Sequence, residues 1–435
     1  MDAPSEKRRG KVPLFSKTSE LRASGRSGRR RVAPAAERVA VVGGSTAGFF
    51  AASLLARRGL RVQLFEQSEQ LDPAPRTLIV TNRMRDLLGP QAESSVVNEI
   101  NRFEMFTDGR AATVTLDRPD LIVERARLIR ALAAQAERDG AEVSMGRRFL
   151  GVQGAAPGNG GAAQNGTQRS SAPLRLTMGV SSSTEIEQIE ADTVIGADGA
   201  QSRVAAAAGW PRLRTVPLIQ AIVKMPADMP PDSVRVWFVP SDTPYFYWLI
   251  PESKDTAALG LIGEDGQHTR DCLDRFMEKR HFEPLSFQAA RIPVYAGWVP
   301  VERRVGAGRV FLVGDAACQV KVSTVGGIVT GFRGALGVCE SIVDGGRSRE
   351  LRSLRRELDL HLLIRRTIHS FAQNDYSRLV DLMNDSTRRS LSRYSRDEAG
   401  RVLWHIALSQ PRLLLLALRG LISGGSSAHR SAPHS

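Results

Sequence analysis

Apolar residues recur along the chain with two periods, and the alternation between them maps out the elements. Arg38-Val39-Ala40-Val41-Val42 is a short apolar run closed by glycines, the pattern of a strand buried on both faces. Ala47 to Arg58 follows as a helix of small residues that Gly59 ends, and Val62-Gln63-Leu64-Phe65 predicts a second strand stopping at Glu66. Pro119 to Arg125 predicts a strand leading into a helix through Arg127, Leu128 and Leu132. Gly140-Ala141-Glu142-Val143 begins a further strand-like stretch that ends near Phe149. Leu174 to Met178 and Glu185 to Glu190 alternate polar and apolar as a hairpin does, and Ala191 to Ile195 returns to the first sheet. Strands alternating with helices predict an α/β fold with parallel strands.

Between about residues 216 and 294 the pattern changes to short alternating strands with aromatic content, among them Val234 to Pro240 and Pro244 to Pro251. If Pro244 to Pro251 is extended throughout, Tyr245 and Tyr247 share one face, and Phe246 and Trp248 share the other. Either one face lines an apolar pocket or both serve sheet packing. Arg309 to Val313 predicts another buried strand, and Val325-Gly326-Gly327-Ile328 opens a helix through Gly331 to Leu336. Leu354, Leu358 and Leu362, then Ile364, Ile368 and Phe371, recur at helical spacing among arginines. Arg412-Leu413-Leu414-Leu415-Leu416-Ala417-Leu418-Arg419 follows, too short to span a bilayer, which takes roughly 20 residues. These two stretches either lie in a membrane interface or cap the core.

With 435 residues and 42% hydrophobic content, the chain can bury one large or two ordinary cores, as a soluble enzyme does. The formal charge of +14 favours anionic partners, but much of it is local. Residues 1–37 carry Lys7-Arg8-Arg9 and Arg29-Arg30-Arg31 with no apolar period and predict a disordered basic arm. Residues 151–172 hold almost no large apolar group and predict a disordered surface insertion, and residues 423–435 a disordered tail. An arginine cluster before an apolar stretch also suits a cleaved leader, yet that stretch is the first strand and helix, so cleavage would destroy the fold. A cytoplasmic chain is therefore expected, with peripheral membrane contact as an extension. Cys272, Cys318 and Cys339 are scattered without CxxC spacing, and the seven histidines form no HExxH group, so neither disulfides nor a metal site is expected.

Three motifs carry the chemistry. Gly43-Gly44-Ser45-Thr46-Ala47-Gly48 joins a strand to a helix whose open N-terminus can hold a pyrophosphate, and Glu66 at the end of the next strand can accept ribose hydroxyls. Ser45 stands at the second glycine position of the usual turn. Gly196-Ala197-Asp198-Gly199 places Asp198 at a strand end, where it suits either a turn beside a nucleotide or an ordinary turn. Gly314-Asp315-Ala316-Ala317 puts Asp315 where it can accept from a ribityl hydroxyl, and the helix start at Gly326, Gly327 and Ile328 suits the pyrimidine end of a reduced flavin. Arg125 is a candidate for the cofactor's phosphates or ribose, and the backbone near Phe149 for its adenine. The cofactor so described is FAD. Cys318 beside the third motif is either a buried small hydrophobe or a redox group.

The stretch Gly314-Asp315-Ala316-Ala317-Cys318-Gln319-Val320-Lys321, with Thr324 and Gly326-Gly327-Ile328, resembles the geranylgeranyl reductase family of FAD enzymes. Tyr247-Trp248-Leu249-Ile250-Pro251 before Gly260 is similar to that family's substrate-domain motif. The resemblance runs from about Arg38 to beyond Ser341 and implies the flavin monooxygenase-like fold. That is a Rossmann-type FAD-binding domain (38–215 and 295–345) interleaved with a smaller antiparallel β-sheet substrate domain (216–294), followed by C-terminal helices (346–422). It implies FAD contacts at Gly43, Gly48, Glu66, Arg125, Asp315, Gly326 and Gly327. Two departures stand out: Val322 where the family has proline, and Val325 where it has a third glycine.

The expected activity is reduction of carbon–carbon double bonds in an isoprenoid or lipid-like substrate, with NADPH or another reductant as transient donor. The alternative on the same scaffold is a monooxygenase using NADPH and oxygen. Tyr245, Tyr247 and Trp248 are the candidate substrate contacts, and Tyr245, Tyr247 and Cys318 the candidate proton donors. Nucleic acid is not the expected partner, because no recognition motif accompanies the basic arm.

Overall fold

The computed structural model describes residues 37–154, 173–409 and 412. The expected basic arm up to residue 36, the insertion from 155 to 172 and the tail lie outside the described residues. Arg38–Val42 forms a strand near the middle of a six-stranded sheet, paired in parallel with Arg61–Phe65 on one side and Thr193–Gly196 on the other. Glu142–Ser144 lies outside the former, and Gly308–Leu312 then Glu302–Val305 outside the latter. This order brings the ends of the strands bearing all three motifs side by side, because a parallel sheet aligns its carboxyl edges. Helices Thr46–Ala56 and Ile328–Asp344 cover one face, where Phe50 meets Phe332 edge-to-face at 5.0 Å.

A second, eight-stranded sheet runs in the order Pro284–Pro293, Thr215–Lys224, Thr256–Ile262, Tyr247–Pro251, Ser233–Trp237, Val96–Thr107, Arg110–Glu124, Thr77–Val80. Its pairs are antiparallel except one, Ser233–Trp237 with Val96–Thr107. Three of its strands thus come from residues 77–124, a stretch the sequence reading placed wholly in the cofactor segment. Helix Gly266–Arg280, capped by Asp265, packs on the outer face through Cys272, Leu273, Phe276 and Met277. The reading of 216–294 as strands alone missed this helix, because its sequence is polar apart from one narrow stripe.

The predicted hairpin is present as Leu174–Val180 and Ile186–Ala191, with Arg147–Gly154 as a third strand. That third strand runs on through residues 151 to 154, where the insertion was expected to begin. Gly154 allows it: a Cβ there would stand 2.2 Å from the Val305 carbonyl oxygen. Phe149 is buried in the core shared by this sheet and the first, beside Ala40, Val42 and Phe65.

At the C-terminus, helices Arg349–His369, Gln373–Asp381, Asp385–Arg393 and Ala399–Ser409 follow one another. Leu354 and Leu358 are fully buried against Tyr295, Cys318 and Val322, so the apolar face of Arg349–His369 closes the core rather than a membrane interface. Each such leucine contributes about 2–3 kcal/mol by leaving water. Among the described residues no helix is long and apolar enough to cross a membrane.

Candidate functional site

At the first motif, Gly43 has φ +109°, and a Cβ there would stand 2.5 Å from the Ala197 carbonyl oxygen. A Cβ on Gly48 would meet the Gly43 oxygen at 2.2 Å, so the turn and the helix behind it close only over bare backbone. Ser45 has a role of its own. Its Oγ accepts from the Gly48 N–H at 3.1 Å and caps helix Thr46–Ala56, which a glycine there cannot do. Glu66 accepts from the Gly44 N–H at 2.7 Å and from the Ser68 N–H and hydroxyl, so its carboxylate is fixed at the mouth of the turn.

Asp198 uses its carboxylate locally. It accepts from Ser202 Oγ at 2.5 Å and from the Arg203 and Val204 N–H groups, bracing the start of helix Arg203–Ala207. Its backbone lies against Gly43, which is how the second motif reaches the site.

Asp315 lies in the short turn after Gly308–Leu312, and Gly327 at the start of Ile328–Asp344 faces it: a Cβ there would be 3.3 Å from Asp315 Oδ1. Gly314, at φ +63°, sits on Ala47 of the first-motif helix. Burial pushes the Asp315 carboxyl up, and the charges of Arg76 and Arg125 pull it back. Arg76 was not anticipated from the sequence. Its backbone N–H donates to Glu124 Oε1 at 3.3 Å and its carbonyl accepts from the Arg125 N–H at 3.0 Å, so register between Thr77–Val80 and Leu121–Glu124 sets both arginines together. Burial and the like charge of Arg125 lower Arg76 to about 10, and its Nε is buried with no hydrogen-bond partner. Arg76 and Arg125 face two carboxylates, Asp315 and Glu124, so the cluster balances two positive charges against two negative ones. The orphaned Arg76 Nε and the Cβ-free turn fit a dinucleotide's phosphates.

The loop from Lys321 to Gly326 is closed by the Lys321 N–H on the Gly326 carbonyl at 3.1 Å and the Val325 N–H on the Lys321 carbonyl at 2.7 Å. Val325 has φ +56°, a left-handed conformation that a β-branched residue adopts only under constraint. Its side chain packs into a cluster on the inner face of the eight-stranded sheet with Tyr245, Trp248, Ile250, Ile262 and Val216. The Lys321–Gly326 loop and the aromatic wall therefore meet. Trp248 seats over Gly260, where a Cβ would be 2.6 Å from its ring, and its buried Nε1 has no partner.

Tyr245 and Tyr247 do not share a face. The strand starts only at Tyr247, and the turn before it, with the Tyr245 N–H on Thr243 Oγ1 at 3.1 Å, shifts Tyr245 to the side of Trp248. Tyr247 points to the opposite side, where it stacks on Phe276 at 4.1 Å and its hydroxyl donates to Asp242 Oδ2 at 2.9 Å. Burial and Asp242 push that hydroxyl far above the ordinary tyrosine range, and its packing on Phe276 holds it away from the inner wall. Cys318 is also withdrawn: it is buried with Leu354 and Leu358, and burial, then the charge of Asp315, push its thiol up to about 12. It is a packed hydrophobe.

A glycine-turn cradle at the edge of a parallel sheet, with an apolar wall packed on the neighbouring loop, is the arrangement of an FAD-dependent oxidoreductase. The chain belongs to the FAD binding domain family, whose model matches residues 37–344. Digeranylgeranylglycerophospholipid reductase from Methanothrix thermoacetophila is 29% identical over 334 residues, 70% of this chain and 77% of the relative. Digeranylgeranylglycerophospholipid reductase 2 from Methanothermobacter thermautotrophicus is 26% identical over 389 residues, 82% of this chain and 94% of the relative. The solved structure of a geranylgeranyl bacteriochlorophyll reductase-like protein from Thermoplasma acidophilum superposes with a TM-score of 0.70 at 19% identity, covering 88% of this chain and 99% of that one. The resemblance expected from the third motif is thus borne out.

Proposed function

We propose that this chain reduces carbon–carbon double bonds in an isoprenoid or similar lipid-like substrate. The observation that carries the reading is the wall formed by Tyr245, Trp248, Ile250 and Ile262 with Val325 of the Lys321–Gly326 loop packed against it. Bound FAD, once reduced by NADPH or another donor, supplies a hydride. The wall holds an apolar chain and excludes water, and position is the protein's main contribution. Gly43, Gly48, Glu66, Arg76, Arg125, Asp315 and Gly327 are the residues that would hold the cofactor.

Addition of hydrogen across a double bond also takes a proton. Of the three candidates only Tyr245 lies in the wall, and the Arg365 guanidinium lies over its ring at 3.7 Å from the centroid. Tyr245 is the proposed donor. The similarity to reductases supports this chemistry over oxygen insertion.

The test is turnover by the purified yellow protein without oxygen, with dithionite and a geranylgeranyl lipid, read by product mass. A gain of two hydrogens per double bond is expected. No gain, but an added oxygen atom under air and NADPH, would place the chain among the monooxygenases.

A further inference from the structure

A buried cluster of charges lies outside the cradle, under the C-terminal turn Arg396–Glu398. Asp397 is fully buried and pairs with Lys321, whose side chain is 5% exposed. Its other oxygen accepts from the Thr81 hydroxyl. The neighbouring Arg396 donates to Asp120 Oδ2 at 2.5 Å, and Asp120 is itself buried. Ser323, in the loop that Lys321 opens, hydrogen-bonds His361 of helix Arg349–His369 at 2.6 Å.

These partners are not scattered. Thr81 directly follows the strand Thr77–Val80 that Arg76 leads into, Asp120 lies in the strand that ends at Glu124 beside Arg125, and Lys321 opens the loop that leaves the Asp315 turn. Two adjacent residues near the C-terminus therefore grip the three segments that carry Arg76, Arg125 and Asp315. Lys321 also bridges Gly326 through its backbone and so holds the loop in which Val325 is strained. Burial pushes the Asp397 carboxyl up, but the Lys321 charge and the bonds from Lys321 and Thr81 outweigh it and hold it at about 2, so it stays ionised. A buried ion pair of this kind contributes little net stability over an apolar pair, and its attested use is to specify one arrangement.

We propose that Asp397 is a positioning residue for FAD: through Lys321, Thr81 and Arg396 it sets the spacing of Asp315, Arg76 and Arg125. The C-terminal turn is then part of the cofactor site although it supplies no contact of its own. This rests on FAD occupying the cradle.

The experiment uses full-length apoprotein titrated with FAD, reading the dissociation constant by flavin fluorescence and the bound flavin's visible spectrum, with thermal unfolding of the apoprotein alongside. Asp397→Asn is expected to weaken FAD binding by about tenfold or more and to alter the bound spectrum. Thr81→Val, which removes one hydrogen bond and keeps the packing, is expected to shift both in the same sense by less. Leu273→Ala, in helix Gly266–Arg280 on the outer face of the eight-stranded sheet, lowers the unfolding temperature and leaves affinity and spectrum as in the parent. If Asp397→Asn unfolds more easily yet binds FAD with parental affinity and spectrum, it is only a structural ion pair and the proposal is overturned. If Asp397→Asn does not fold, Thr81→Val decides, and parental values there overturn the proposal as well. A parent chain that does not bind FAD overturns the cofactor reading itself.

Discussion

Single residues decide how the cradle manages charge. Arg76 keeps its Nε buried without a partner, which costs about 1–3 kcal/mol unless a ligand oxygen fills the place. Arg76→Gln is therefore expected to weaken FAD binding by roughly ten- to a hundredfold while the apoprotein's unfolding temperature holds or rises, as titration and calorimetry on the apo form can check. His361 tests the buried charges from another side. Burial, then the Lys321 charge, lower it from 6.5 to about 3, against the opposing pull of Asp397. The folded state thus holds it neutral while the unfolded chain takes up a proton, so its contribution is whole above about pH 6.5 and is lost as the pH falls toward 3. In His361→Asn, unfolding free energy measured by denaturant titration between pH 6 and 4 is expected to lose about 1.4 kcal/mol per pH unit of slope. A parental slope in the variant refutes the neutral histidine.

Elements explain what could be read in advance. The strands of the six-stranded sheet were legible because a parallel strand buried on both faces is an unbroken apolar run, and the glycine turns mark its ends. Helix Arg349–His369 was legible as a helix but not as core or interface, since an amphipathic stripe looks the same on either. Burial separates the two: Leu358→Ala is expected to cost about 2–5 kcal/mol and Leu363→Ala, 46% exposed, less than about 0.5 kcal/mol in chemical denaturation. The parity of Tyr245 and Tyr247 was misjudged because side-chain alternation holds only inside a strand, and this one begins two residues later than its aromatic run. Arg76 was illegible for a deeper reason. Only the pairing of Thr77–Val80 with Leu121–Glu124 brings it to Arg125, and no local pattern encodes a partner so far along the chain.

At the scale of the whole molecule, the eight-stranded sheet belongs to no single stretch of sequence. Residues 215–293 supply five of its strands and residues 77–124 the other three, joined at the parallel pair Ser233–Trp237 and Val96–Thr107. A fragment spanning 215–294 is accordingly expected to show no cooperative thermal transition by circular dichroism, because it lacks the strands that cover Ser233–Trp237 and Ile250. A cooperative transition in that fragment would mark it as an independent domain.

The same parallel seam orders events on the ribosome. Val96–Thr107 emerges and pairs with Arg110–Glu124 at once, but the neighbour for its other edge is not translated until Ser233. At roughly 5–20 residues per second the nascent chain carries an unpaired strand edge for several seconds, long enough to recruit a chaperone or a neighbouring copy. Slowing translation between residues 125 and 232 is therefore expected to lengthen the time this edge stands unpaired and to lower the soluble yield.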